Sequence, residues 1–226
     1  MILKGNTNSE DHWISVSDLM AGLMMIFLFI AISYMIQVKK IAKTYTKVQA
    51  EIYLALHNEF RDDLKKWGAS INDRDLSISF KEPDVLFKKG QSEINKKFKM
   101  ILDDFFPRYI NVLKNEAFRS EISEIRIEGH TSSEGLRNQS EDQAYFYNMK
   151  LSQDRTRSVL TYVLLLGDIK YDKPWIKRLL TANGLASSKV ITNGKNYENR
   201  ILSRRVEFRI RTNAEKHIRA ISQSSS

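Results

Sequence analysis

Residues 122–166, ISEIRIEGHTSSEGLRNQSEDQAYFYNMKLSQDRTRSVLTYVLLL, decide the fold. Ile122, Ile125 and Ile127 lead a strand into Gly129, where the apolar pattern stops. A loop rich in Ser, Glu and Gly then reaches about Asp142, and a long helix continues to Leu166. Strand, polar loop and helix in that order form a unit that must bury one helix face on a sheet.

Working outward, Val206, Phe208 and Ile210 alternate with charged residues and predict a closing strand over 205–211. Pro174 opens a helix predicted to run to Asn183. Upstream, a helix is expected from about 93 to 114, with Pro107 placed to kink it. Leu76, Ile78 and Phe80 alternate as a half-buried strand, and Val85 to Phe87 form a second short apolar run. Mixed strands and helices of this kind predict an α+β sandwich over 69–212, with helices covering one face of a sheet. Residues 213–226 are expected to be a frayed tail.

The N-terminal part has a different character. From Leu19 to Ile36 the run LMAGLMMIFLFIAISYMI contains no charge, enough helix to cross roughly 27 Å at about 1.5 Å per residue. We read residues 1–13 as a cytoplasmic N-terminus and 14–38 as a transmembrane helix, with Trp13 at the interface. The run is too long for the apolar core of a cleaved signal peptide, and Lys4 is set against Glu10 and Asp11. Beyond it, over 39–68, Ile41, Tyr45, Val48, Ile52, Leu56, Phe60, Leu64 and Trp67 recur at helical spacing, and Gly68 can cap the end. Such a stripe needs cover, from a second copy of the chain or from the following domain.

The chain has no cysteine, which excludes a thiolate nucleophile, a thiolate metal site and a disulfide framework. It lacks a Gly-rich phosphate loop, an HExxH helix and a GxSxG elbow, and its four histidines are scattered, so no enzyme is expected. A net charge of +9 suits an anionic partner, but the basic C-terminal residues lack interleaved aromatics, which argues against nucleic acid.

Three ordered pieces resemble the OmpA-like peptidoglycan-binding domain: Val85-Leu86-Phe87 followed by Gly90, Ile127-Glu128-Gly129-His130-Thr131 with Asn148-x-x-Leu151-Ser152-x-x-Arg155, and Thr181-Ala182-Asn183-Gly184 with Ser203-Arg204-Arg205-Val206-Glu207-Phe208. The resemblance covers roughly residues 75 to 212. It implies a pocket for the diaminopimelate residue of a wall peptide, built from Ser132, Tyr147, Asn148, Leu151 and Arg155. It makes His130 a structural residue of the signature. A guanidinium at Arg155 can hold a carboxylate bidentately. An Asp usually follows the Gly-His-Thr triplet, and here Ser132 takes its place, so an ammonium contact would fall to Glu134, Glu141 or backbone carbonyls. The alternatives for these residues are a surface ion pair of Arg155 with Asp154 or Glu141, and a plain helix-to-loop hydrogen bond for Asn148.

Trp13-x-x-x-x-Asp18-Leu19-Met20, entering a Met- and Phe-rich helix, resembles the B subunits of ion-driven stators, the class of MotB, and most of all those of Zorya anti-phage systems. That resemblance implies Asp18 as the carrier of a translocated proton or sodium ion, with no other cofactor. It also implies a homodimer, a multi-spanning MotA-like A subunit, and an inner-membrane protein whose C-terminal domain is periplasmic. A flagellar stator subunit and a passive peptidoglycan tether are the alternatives. From the residues alone, an acid at the edge of a membrane helix marks an ion path, whereas Ser15-x-x-Asp18 also fits a capping box. Lys39, Lys40, Lys43 and Lys47 after the span favour a cytoplasmic C-terminus by charge bias, against the resemblance.

Overall fold

The computed structural model describes residues 8–81, 86–88 and 90–213, apart from the side chains of 8–12, 14, 15, 41, 44 and 45. Val85, Ile41, Tyr45 and the tail beyond 213 therefore lie outside the described residues or side chains. The chain divides into two compact units, residues 1–45 and 46–226.

The first unit is helical from Asn8, where α1 (Asn8–Leu64) begins. Within α1, Val16–Lys40 is long and apolar enough to cross a membrane. Its described side chains are exposed on nearly all sides, as lipid contact requires.

In the second unit five strands form one sheet in the order β1-β2-β5-β3-β4: β1 (Ala69–Asn72), β2 (Ser77–Phe80), β3 (Ile122–His130), β4 (Leu180–Gly184) and β5 (Arg205–Thr212). Only β3 and β4 pair in parallel, Ile125 facing Leu180 and Gly129 facing Gly184. The helices are α2 (Lys96–Leu113), the short α3 (Glu116–Arg119), α4 (Glu141–Leu165), α5 (Lys173–Leu179) and the short α6 (Arg200–Ser203). Ser140 opens α4 with a reciprocal capping box to Gln143.

Three expectations change. The helix expected to reach Asn183 stops at Leu179, and Leu180–Gly184 is instead β4, because its backbone completes the ladder along β3. The hairpin strand β1 is an addition. Among the described residues the run at Phe87 contributes only an isolated bridge to Ile94, not a sheet strand.

The apolar sheet face carries Ile78, Phe80, Ile125, Ile127, Phe208 and Ile210 into a core with Phe98, Phe105, Phe106 and Tyr109 of α2. Phe208 sits at its centre, 5.0 Å from the ring of Phe105 and 6.0 Å from those of Phe80 and Tyr109. Ile52, Leu56 and Phe60 of α1 are fully buried in the same core. Arg108 secures them, bonding Glu59 at 2.7 Å and Asp63 at 3.1 Å while stacking 5.0 Å over Phe60. This half of the amphipathic stripe is therefore covered by its own domain.

α4 approaches the sheet closely at the facing glycines. A Cβ at Gly129 would lie 2.7 Å from Thr156 Cγ2 and 2.9 Å from the Ser152 carbonyl, and one at Gly184 would strike the backbone of Gln153. Only glycine lets the middle of α4, which carries Arg155, sit at this height. Gly184→Ala should lower stability by about 1–3 kcal/mol, as overpacking against backbone does. A thermal melt of the variant unshifted from the parent would contradict this close packing.

Candidate functional site

The site is built where the loop after β3 meets the N-terminal half of α4. Ser152, fully buried, donates to the Met149 carbonyl at 2.9 Å and accepts from the Ala186 amide at 3.1 Å. The Ala186 carbonyl in turn accepts from the Thr131 amide at 2.9 Å. These bonds hold the β3 loop, the β4 loop and α4 around a cleft of about 430 Å³.

All five wall-peptide residues expected from the sequence line this cleft: Ser132, Tyr147, Asn148, Leu151 and Arg155. Arg155 is 8% exposed. Its Nε donates to the Gln91 carbonyl at 2.9 Å, its Nη2 to the Lys88 carbonyl at 3.5 Å, and its guanidinium lies 4.9 Å over the Phe87 ring. Among the described residues Nη1 has no hydrogen bond and no carboxylate pairs with the group. The alternative of an ion pair with Asp154 is excluded, since Asp154 binds Lys150 at 2.7 Å and Arg157 at 3.0 Å. Burial pushes the Arg155 pKa down to about 10, and nearby Arg204 acts in the same direction. A buried guanidinium without a counter-ion favours an anionic ligand.

Asn148 does make the helix-to-loop bond, donating to the Glu134 carbonyl at 3.0 Å, so it fixes the cleft wall. Ser132 is 4% exposed, and the neighbouring Thr131 Oγ1 is buried without a hydrogen-bond partner among the described residues. Glu134 lines the cleft and Glu141 does not. The carboxylate of Glu134 already lies 3.9 Å from Arg204 and 4.0 Å from Arg200. Sequence reasoning missed Arg137, Arg204 and Thr131 as lining residues; nothing in their spacing pointed to a cleft that only the fold assembles.

The opposite sheet face carries a charge ladder. Arg126 faces Arg209 and Glu128 faces Glu207 across β3 and β5, and opposite charges meet mainly along each strand. Arg205 holds Glu207 at 2.6 Å, Arg209 reaches Asp75 at 2.9 Å, and Arg126 reaches Glu124 at 2.9 Å. Glu128, His130 and Glu207 could present ligand atoms within 4.8 Å of one another. Arginines already neutralise these carboxylates, however, so a divalent cation would find no uncompensated negative charge.

Burial alone would raise the carboxyl of Glu207. The imidazole of His130, 3.6 Å away, and the charge of Arg205 instead hold it well below the ordinary carboxylate range. A depressed folded-state pKa contributes stability above the unfolded value near 4.3 and loses it as pH falls below that value. Glu207→Gln should therefore lower the melting temperature at pH 7 and by a smaller amount at pH 3, where part of the contribution is already lost. Equal shifts at both pH values would contradict the assignment.

In the N-terminal unit Asp18 is exposed and is the one carboxylate of the Val16–Lys40 segment. α1 begins at Asn8, so residues 15–18 lie in the helix interior. Ser17 Oγ donates back to the Trp13 carbonyl at 2.8 Å. The capping-box alternative for Ser15 and Asp18 thus fails, because no helix starts there.

The sequence profile of the OmpA family matches residues 86–213. The Zorya protein ZorB of Escherichia coli (Crooks strain) is 47% identical over 95% of this chain and 93% of its own length. A second Zorya protein ZorB, from an ETEC strain of Escherichia coli, is 26% identical over 89% of this chain and 80% of its own. Among solved structures, a putative MotB-like protein from Desulfovibrio vulgaris superposes with a TM-score of 0.53 at 22% identity, covering 75% of this chain and 98% of the other. The sheet with its helical layer is the fold they share. A profile match over more than half the chain and a relative of this identity along nearly its whole length settle the kinship: the chain belongs to the OmpA family and, within it, to the Zorya ZorB proteins.

Proposed function

We propose that the chain is the B-type subunit of an ion-driven anti-phage stator, a single-pass inner-membrane protein whose periplasmic domain grips peptidoglycan. The observation that carries the wall-binding part is Arg155, buried in a cleft where, among the described residues, no carboxylate pairs with it and Nη1 makes no hydrogen bond. A stem-peptide carboxylate supplies the missing counter-ion. The role is one of binding and force transmission, without bond-making chemistry.

Asp18 is the proposed carrier of a proton or sodium ion. It stands inside a continuous helix, in a segment with no other acid, and an acid in such a place alternates between charged and neutral forms as the ion arrives and leaves. Two copies of the chain within a multi-spanning MotA-like A subunit would give each Asp18 a path to both sides of the membrane. Because Ile52, Leu56 and Phe60 are buried in their own domain, the proposed dimer uses residues other than these three.

The test is sedimentation. The full chain, purified in detergent, is expected to co-sediment with insoluble peptidoglycan sacculi and, from cells encoding the neighbouring multi-spanning subunit, to co-purify with it. A chain that stays in the supernatant with sacculi is not a wall anchor.

A further inference from the structure

The charges around the cleft are lopsided. Arg137, Arg155 and Arg204 line it, and Glu134 is the one acid among the lining residues. Glu134 is already engaged with two arginines. Lining the same cleft as Arg155 are Ser132 and Thr131, whose hydroxyls are neutral and able to donate to an oxygen, and both residues are buried. The side-chain amide of Asn148 donates into the cleft wall.

An anion entering here gains Arg155, whose Nη1 makes no hydrogen bond among the described residues, and it relieves the repulsion between Arg155 and Arg204. An ammonium entering beside it would leave water for a site with neutral acceptors and three guanidiniums, which is unfavourable. Resting on the reading of the cleft as a wall-peptide site, we infer that it recognises a stem peptide by carboxylate alone. The side-chain amine of the diamino acid stays at the solvent-facing mouth, so stems with a blocked amine are ligands as good as stems with a free one. Ser132 is the residue that sets this specificity.

The experiment titrates the detergent-solubilised full chain with three synthetic tripeptide stems ending in a diamino dicarboxylic acid. One is unmodified, one is acetylated on the side-chain amine, and one is amidated on the side-chain carboxylate. Free and acetylated stems should bind within about threefold of each other. The amidated stem should bind at least tenfold more weakly, the scale of one lost charge-assisted hydrogen bond. Ser132→Asp, which restores a carboxylate at the cleft wall, should bring in a preference of about tenfold for the free amine over the acetylated one. A tenfold loss on acetylation with the parent chain would overturn the inference and leave the wall-binding reading intact. Failure of all three peptides overturns the inference too, and sedimentation with sacculi then shows whether the wall-binding reading falls with it.

Discussion

Arg155→Ala is expected to abolish co-sedimentation with sacculi. Removing the guanidinium takes away the charge-assisted hydrogen bonds that a stem carboxylate makes with Arg155 beside Phe87 and Tyr147, a loss of roughly 2–3 kcal/mol, or about 30- to 150-fold in affinity. The residue also bonds the carbonyls of Gln91 and Lys88, so the alanine variant loosens that segment as well. Arg155→Lys separates the two effects. An ammonium keeps the charge but cannot present the planar fork, and binding should fall by a smaller factor while the melting temperature stays near that of the parent. If the alanine variant is folded by circular dichroism and sediments like the parent, the cleft is not the wall-peptide site.

Asp18→Asn should eliminate ion-driven activity while leaving membrane insertion and complex assembly intact. Asparagine matches aspartate in size and accepts a hydrogen bond, so any packing or polar contact of the side chain survives. It cannot gain and lose charge, which an ion carrier must do in every cycle. The alternative of a helix cap is removed by the start of α1 at Asn8, ten residues upstream of Asp18. Plating efficiency of phage on cells expressing the complete system reads the outcome, with membrane abundance as the control. Near-parental resistance with Asp18→Asn would turn the chain into a passive tether and leave the wall-binding domain as its whole function.

The parts of the fold that were legible in the sequence are those whose pattern has one solution. Ile122, Ile125 and Ile127 before Gly129 leave little but a strand, and the uncharged run from Leu19 to Ile36 leaves little but a membrane-length helix. The reading went astray where local pattern and tertiary demand differ. Trp175, Ile176, Leu179 and Leu180 keep helical spacing across the boundary of α5 and β4, and only the parallel ladder with β3 turns Leu180–Gly184 into a strand. Ser77 and Ser79 looked like the wet side of β2. They are buried because the long arginines and glutamates of the neighbouring strands fold over that face.

The site divides in the same way. Asn148, Leu151 and Arg155 are visible as a helix-borne set because their spacing places them along one side of α4. Thr131, Arg137 and Arg204 come from two loops, and no spacing rule joins them. The fate of the amphipathic stripe was also open in the sequence, since a helix with one apolar face looks the same whether a second chain or its own domain covers it. Phe60 between Trp67 and Phe105 decides in favour of the domain for that half.

Everything proposed depends on the domain lying outside the cytoplasm, while Lys39, Lys40, Lys43 and Lys47 bias the charge the other way. Large domains do cross membranes despite such flanks, so sidedness has to be measured. The absence of native cysteine makes the measurement clean. Tyr171 is 92% exposed, so Tyr171→Cys places a single thiol on the domain surface. With a membrane-impermeant maleimide, the account predicts full labelling of this variant in intact spheroplasts and no further labelling after lysis. Labelling that appears only after lysis would put the domain in the cytoplasm and contradict the account.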